Sequence, residues 1–223
     1  MRRVAGSLGA AVLVIASLLF TVAPASSLPT QQRCVTPPPV SPVSVPTADF
    51  LTGGGFILHF GAHANFGVGG GCKEGGDGHG LWGHLEYIDH GIGLNVHWNS
   101  ITAYLSDPND SSARYICGTA TTNSPPHVPP IPAMVNFAVR AADHDAPGQV
   151  DQFDIRLTIP NGSGGVFEVY FTGDETANFP HPLVGGNITL HKPNPSTMGP
   201  ITMEPLLVDS CPAFFPVGSI MIM

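Results

Sequence analysis

AVRAADHDAPGQVDQFDIRLTI, residues 138–159, holds two alternating apolar runs on either side of a turn rich in Asp, Pro and Gly. Val135, Phe137, Val139 and Ala141 share one face of the first run, and Phe153, Ile155, Leu157 and Ile159 share one face of the second. A period of two is what a half-buried strand imposes, because successive side chains point to opposite sides of a sheet. The stretch reads as a β-hairpin, with Asn136, Arg140, Asp154, Arg156 and Thr158 expected on the solvent face.

Further strands follow on both sides. Upstream, Gly53-Gly54-Gly55 releases residues 56–60, where Phe56, Leu58 and Phe60 are expected to alternate with Ile57 and His59. Ala64, Phe66 and Val68 then lead into a Gly-rich run, residues 69–80. That run lacks the G-x-x-x-x-G-K-[ST] spacing and no helix-forming stretch follows it, so it reads as a connection pinned by Cys72 and not as a phosphate cradle. Leu94, Val96 and Trp98 share a face, and Ile101, Ala103 and Leu105 share another just after Asn99-Ser100. Residues 114–119, 166–171 and 186–192 are strand-like as well, and the Pro-rich run 124–132 is a loop. Roughly ten short strands without a helical period predict an all-β domain over residues 49–193, an antiparallel β-sandwich of immunoglobulin-like or jelly-roll-like type.

The flanks are different in kind. Arg2 and Arg3, an apolar run over residues 4–22 and Ala23-Pro24-Ala25 form a signal peptide, residues 1–25, which implies a secreted, extracellular protein. Ser7, Gly9, Ser17 and Thr21 interrupt the run and Pro24 closes it, which argues against a membrane anchor. No later segment is apolar enough to span a bilayer, so the mature chain is expected to have no transmembrane segment. Residues 26–48 read as a Pro-rich linker or arm. Residues 194–223 form an apolar C-terminal extension expected to pack on the domain.

Without its leader the chain carries six basic residues against sixteen acidic ones, a balance of −10. Such a surface repels a phosphate backbone, so nucleic acid is not an expected partner, whereas hard cations, Ca²⁺ above all, are compatible with it. The 27 Gly and 23 Pro suit a domain of many strands and turns. Export also makes Cys34, Cys72, Cys117 and Cys211 candidates for two disulfides. Four cysteines allow three connectivities. Pairing 34 with 211 and 72 with 117 is favoured, because the first two lie outside the patterned region and the others within it.

Among residues that can carry chemistry, Asp143, Asp145 and Asp151 cluster on the turn of the hairpin. Three carboxylates with loop carbonyls could supply the roughly six oxygens that Ca²⁺ needs, and the same residues also serve as plain turn formers. His59 and His63 have the spacing of a zincin but lack its Glu, and His63, His84 and His97 could meet across strands as a zinc site. A Ser-His-Asp hydrolase lacks its G-x-S-x-G elbow, since Ser100, Ser163 and Ser196 sit in turn-like sequence. Glu86, Asp89, Asp154 and Glu168 are the strand-borne carboxylates open to a glycosidase.

Taken in order, LTGGGFI, HANFGVGGGCKEG, GHLEYIDHGIGLNVHWNSI, AADHDAPGQVDQFDIRLTI and LVGGNITLHK resemble a bacterial extracellular β domain of the post-choice-of-anchor type, over about residues 51–193. Phe56 stands where that pattern has Trp, Pro160 interrupts the end of a strand, and Cys72 with Cys117 is an addition. The resemblance implies an accessory module of surface proteins with no transferable catalytic residues. The expected function is a noncatalytic surface or matrix module binding an extracellular protein or glycan. The alternative is a secreted hydrolase acting on glycans or esters.

Overall fold

A computed structural model describes residues 49–73, 80–107, 109–144, 148–175, 179–192, 197–198 and 211–215, with the side chains of 73, 197 and 198 excepted. The leader, the Pro-rich arm, Cys34, Asp145, Ser196 and most of the C-terminal extension lie outside these residues. The described fold belongs to one unit, Gln31–Met223. It is all-β and antiparallel: β1 Phe50–His59, β2 Ala62–Lys73, β3 Leu81–Asp89, β4 Leu94–Asp107, β5 Asp110–Thr122, β6 Met134–Ala142, β7 Gln152–Pro160, β8 Val166–Phe171, β9 Gly185–His191 and the two-residue β10 Thr197–Met198. The described residues contain no helix beyond one 3₁₀ turn, Thr172–Asp174.

Hydrogen bonding runs unbroken through nine strands in the order β8-β7-β6-β5-β4-β3-β2-β1-β9, with β10 added at the end of β2. Eight strands form a meander in which each pairs with the next, and β9 returns to the outer side of β1. The connection before β9 shows how the sheet curls. Phe153 N donates to His181 O at 3.1 Å and Leu183 N to Asp151 O at 2.8 Å, and the very next residue, Val184, donates its N–H to Phe56 O at 3.0 Å. Adjacent residues of one segment thus touch β1 and the start of β7, strands six places apart in the order. One residue advances the chain by only about 3.5 Å, so the sheet is a curled half-barrel with its halves facing one another. Two packed sheets were expected; one sheet bent over its own core is what forms.

Side chains confirm the facing. The rings of Phe66 on β2 and Phe153 on β7 stack with centroids 3.8 Å apart. Gly70 faces β5 so closely that a Cβ there would lie 2.7 Å from Ile116 Cδ1. Between the halves lie Leu85, Tyr87, Val96, Ile116, Phe137, Val139, Ile155 and Leu157, all buried. The hairpin register places Phe137 opposite Leu157 and Val139 opposite Ile155, the faces the alternation predicts. Inside β1, Ile57 and His59 are buried and Leu58 is exposed, as is Phe60 just beyond the strand.

The other face of β6 and β7 is not a solvent face. Arg140, Asp154 and Thr158 are buried. Part of the cover is the segment 211–215, whose Cys211, Ala213 and Phe215 pack with Ala103, Leu105, Tyr115, Cys117 and Ala138 in a second apolar cluster. Cys117 is disulfide-bonded to Cys211, which corrects both halves of the expected pairing. Cys72 is disulfide-bonded too. Tyr115 OH donates to Phe215 O and an Arg156 N–H donates to Phe214 O, each at 2.7 Å, so the strap is held by polar as well as apolar contacts. Arg140 is buried by a network of its own, donating to Asp107, Asp110 and Gln152.

Asn99-Ser100 does not divide two strands. β4 passes through it with register shifts between Trp98 and Ser100 and again between Ile101 and Ala103. The two irregularities turn Ile101 toward the main core and restore the phase, so that Tyr104 points inward while Ala103 and Leu105 meet the strap.

Candidate functional site

The residues singled out from sequence fall in several places. Asp143 Oδ2 accepts the Leu190 N–H at 2.6 Å, and Asp151 accepts the Ile188 N–H on Oδ2 at 2.7 Å and the His144 N–H on Oδ1 at 2.9 Å. β9 pairs with β1 on one side only, so its outer N–H groups need acceptors, and these two carboxylates stand in for a tenth strand. The described residues hold no group of three His, Cys, Asp or Glu placed for a metal ion. Asp151→Asn keeps one acceptor oxygen where two are used. It is expected to cost about 1–3 kcal/mol of stability in the presence of chelator, measured by denaturant unfolding. A variant as stable as the wild type there would remove the edge-capping role.

The histidines of β1–β4 are spread out. His63 stacks on Phe56, His84 lies over Gly69, and His97 pairs with Glu86 on the exposed face. Ser100 Oγ is bonded to Thr119 Oγ1, and Ser163 sits in the exposed turn before β8. Asp154 is buried against His181. Asp89 and Glu168, by contrast, come together in one place.

That place is a cavity of about 270 Å³ where the β1–β2 and β3–β4 turns meet the 123–133 loop and the end of β8. His59, Asp89, Glu168, Tyr170 and Asp174 line it with His127, beneath an apolar rim of Phe60, Ile92, Val128 and Pro129. The end of the interior is lined by hydrogen bonds. Asp89 Oδ2 lies 2.9 Å from His59 Nδ1 and accepts the Tyr170 hydroxyl at 2.7 Å, while Oδ1 accepts the Gly91 N–H at 2.7 Å. Behind Tyr170, the Tyr87 hydroxyl lies 2.5 Å from its oxygen.

Burial works against the charged form of Asp89, yet the bonds from His59, Tyr170 and Gly91 outweigh it and hold this carboxyl below its ordinary value. Burial pushes the phenols of Tyr87 and Tyr170 well above theirs. The carboxylate is therefore an acceptor only, both phenols keep their protons, and His59 must donate through Nδ1. Its Nε2 is buried and makes no hydrogen bond.

Phe60 shapes the mouth. The two-residue turn Phe60-Gly61 has φ of 46° and 77°, a conformation that costs a Phe about 1 kcal/mol or more and that Asn or Gly would adopt freely. Glu175 Oε2 accepts the Phe60 N–H at 2.6 Å and holds it there. The ring is 69 % exposed. An aromatic side chain kept out of the core by a strained turn is the pattern of a binding surface.

No protein-family model, curated protein or solved structure matches this chain. What the site does is read from its own atoms.

A second imidazole lies behind the first, with ring centroids 6.2 Å apart. His181 Nδ1 is 2.6 Å from Asp154 Oδ1, whose other donor is the Thr172 hydroxyl at 2.9 Å, and His181 Nε2 is 3.7 Å from Glu175 Oε2. Burial alone would depress His181, but the hydrogen bond and charge of Asp154, with Glu175 beyond, raise it above the ordinary imidazole value of 6.5. A raised folded-state value contributes stability that is full below about pH 6.5 and is lost as pH climbs through the folded value. The melting temperature is expected to fall from pH 6 toward pH 8.5, and His181→Gln should flatten that slope. Equal slopes in the two proteins would show that His181 does not titrate on unfolding.

Sequence reasoning missed His59 and Tyr170 as partners of Asp89, and His127 and Asp174 as lining. One signal was available: with Ile57 in the core, His59 shares its inward face, and a histidine on the apolar face of a strand needs a polar partner.

Proposed function

We propose that the protein is a secreted, noncatalytic binding module at the bacterial surface or in the extracellular matrix, and that the cavity at the open end of the half-barrel is its ligand seat. The observation that carries this reading is the buried, unbonded Nε2 of His59 on a ring that lines the cavity. A pocket with an apolar rim and a few polar groups converging on it is the ordinary makings of a ligand site, and the mouth of a curled sheet is an ordinary place for one. The noncatalytic part is supported by the lining: its only described hydroxyl is that of Tyr170, which is committed to Asp89, so no hydroxyl or thiol stands beside His59 as a nucleophile. The ordered resemblance of five motifs to an extracellular accessory domain supports the location.

Crystals of residues 26–223 soaked with mixed small fragments test the seat. Fragment density is expected between Phe60, His127 and Tyr170, and fragments settling only elsewhere would refute it. Ester and glycoside substrates are expected to show no turnover. Turnover abolished by His59→Gln would replace this reading by the hydrolase.

A further inference from the structure

The cavity's hydrogen-bonding character can be worked out proton by proton. His59 spends its N–H on Asp89, as shown above. His127 Nδ1 lies 2.9 Å from Pro129 O, and a carbonyl can only accept, so this imidazole also donates through Nδ1. In both rings Nδ1 is thus spent as a donor on a protein oxygen. Tyr170 gives its proton to Asp89. Glu168 and Asp174 bear carboxylates; Glu168 accepts from Arg156 through Oε2, and Asp174 is exposed. The Nδ1 of both imidazoles and the Tyr170 hydroxyl are thus engaged within the protein, and the carboxylates of Glu168 and Asp174 are what the lining offers a ligand. An anion would face the carboxylates of Asp89, Glu168 and Asp174, in a chain of net charge −8. A sugar could donate its hydroxyls to these carboxylates, but it brings no positive charge to meet them and no apolar stem for the rim.

We propose that the cavity receives a hydrogen-bond-donating organic cation, an alkylammonium or alkylguanidinium group on an apolar stem; this rests on the cavity being the ligand seat. The stem has its walls in Phe60, 69 % exposed, and Val128, 93 % exposed, with Ile92 and Pro129 between them. The Phe60 and Tyr170 rings add aromatic faces that attract a cation. The charged head has the carboxylates of Asp174 and Glu168 as acceptors. Such a head comes either from a Lys or Arg side chain of a partner or from a free amine.

NMR titration of residues 26–223, disulfides intact, decides the matter. The probes are n-butylammonium, n-butylguanidinium, butyrate, methyl glucoside and the capped peptide acetyl-Ala-Lys-Ala-amide. The two cations are expected to shift the ring signals of His59, His127 and Phe60, and butyrate and the glucoside to leave them in place. Asp174→Asn should weaken n-butylammonium about two- to fivefold, the range of an exposed ion pair, and Asp174→Lys should abolish binding without changing the melting temperature. Peptide binding at least tenfold tighter than n-butylammonium assigns the head to a partner's side chain, and equal binding assigns it to a free amine. Butyrate or the glucoside binding as well as the cations, or Asp174→Lys binding like wild type, would overturn the proposal while leaving the seat in place. If no probe moves these signals and fragments also avoid the cavity, the seat falls with it.

Discussion

Replacing Cys117 and Cys211 together by Ser is expected to lower the unfolding free energy by about 4–5 kcal/mol. The bond spans 94 residues of sequence, and closing a loop of that length removes about this much conformational freedom from the unfolded chain. In a domain of this size the melting temperature should drop by roughly 10–18 °C. The bond also fastens 211–215 over the outer face of β4–β6, so its loss lets Tyr115 and Ala138, both fully buried, meet water. Denaturant unfolding of C117S/C211S against wild type measures the loss. A change under about 1 kcal/mol would show that the apolar contacts of the strap hold it without the covalent tie.

Asp49→Ala is expected to cost about 3–5 kcal/mol, because it leaves a guanidinium charged and without its counterion inside the protein. Arg114 donates from Nε and from Nη2 to the two oxygens of Asp49, at 3.1 and 2.5 Å, and the Tyr104 hydroxyl adds a third bond at 2.6 Å. Asp49 and Arg114 are only 6 % and 5 % exposed. Burial opposes the charge on Arg114, and the bonds and charge of Asp49 are what offset it; a guanidinium deprived of them still keeps its proton near neutral pH, so it cannot escape the cost by losing it. Asp49→Leu with Arg114→Met should recover most of the stability, since an apolar pair of similar volume needs no counterion. Equal losses in the single and double variants would mean that packing around Arg114, not its charge, sets the cost.

The central hairpin was legible because both its strands bury one face on the same core, so alternation in residues 135–141 and 153–159 reports their pairing directly. Alternation says nothing of what covers the second face. Arg140, Asp154 and Thr158 look like solvent residues until distant segments come to lie over them. Alternation in residues 56–60 likewise does not say which set faces inward: Phe60 is more apolar than His59, but the turn at Phe60-Gly61 sends the phenyl ring outward while the imidazole is buried. The cavity was hidden by sequence distance. His59 is separated from Asp89 by 30 positions and from Tyr170 by 111, and each by itself passes for a solvated or core strand residue. The work of Asp143 and Asp151 on β9 was invisible because β9 lies far from them in sequence.

The place of β9 has a bearing on how the chain folds. Phe50 pairs with His191, and the Thr52 hydroxyl meets the His191 ring across 139 residues of sequence. During synthesis β1 to β8 can assemble by successive local hairpins, the fast kind of contact, but β1 stays an open edge until residue 191 is available. Closure of that edge is a long-range step whose loop entropy is met late, so partly folded chains expose a Gly-rich strand able to pair with another molecule. Slow refolding and concentration-dependent association of chains truncated before residue 185 follow from this order of events.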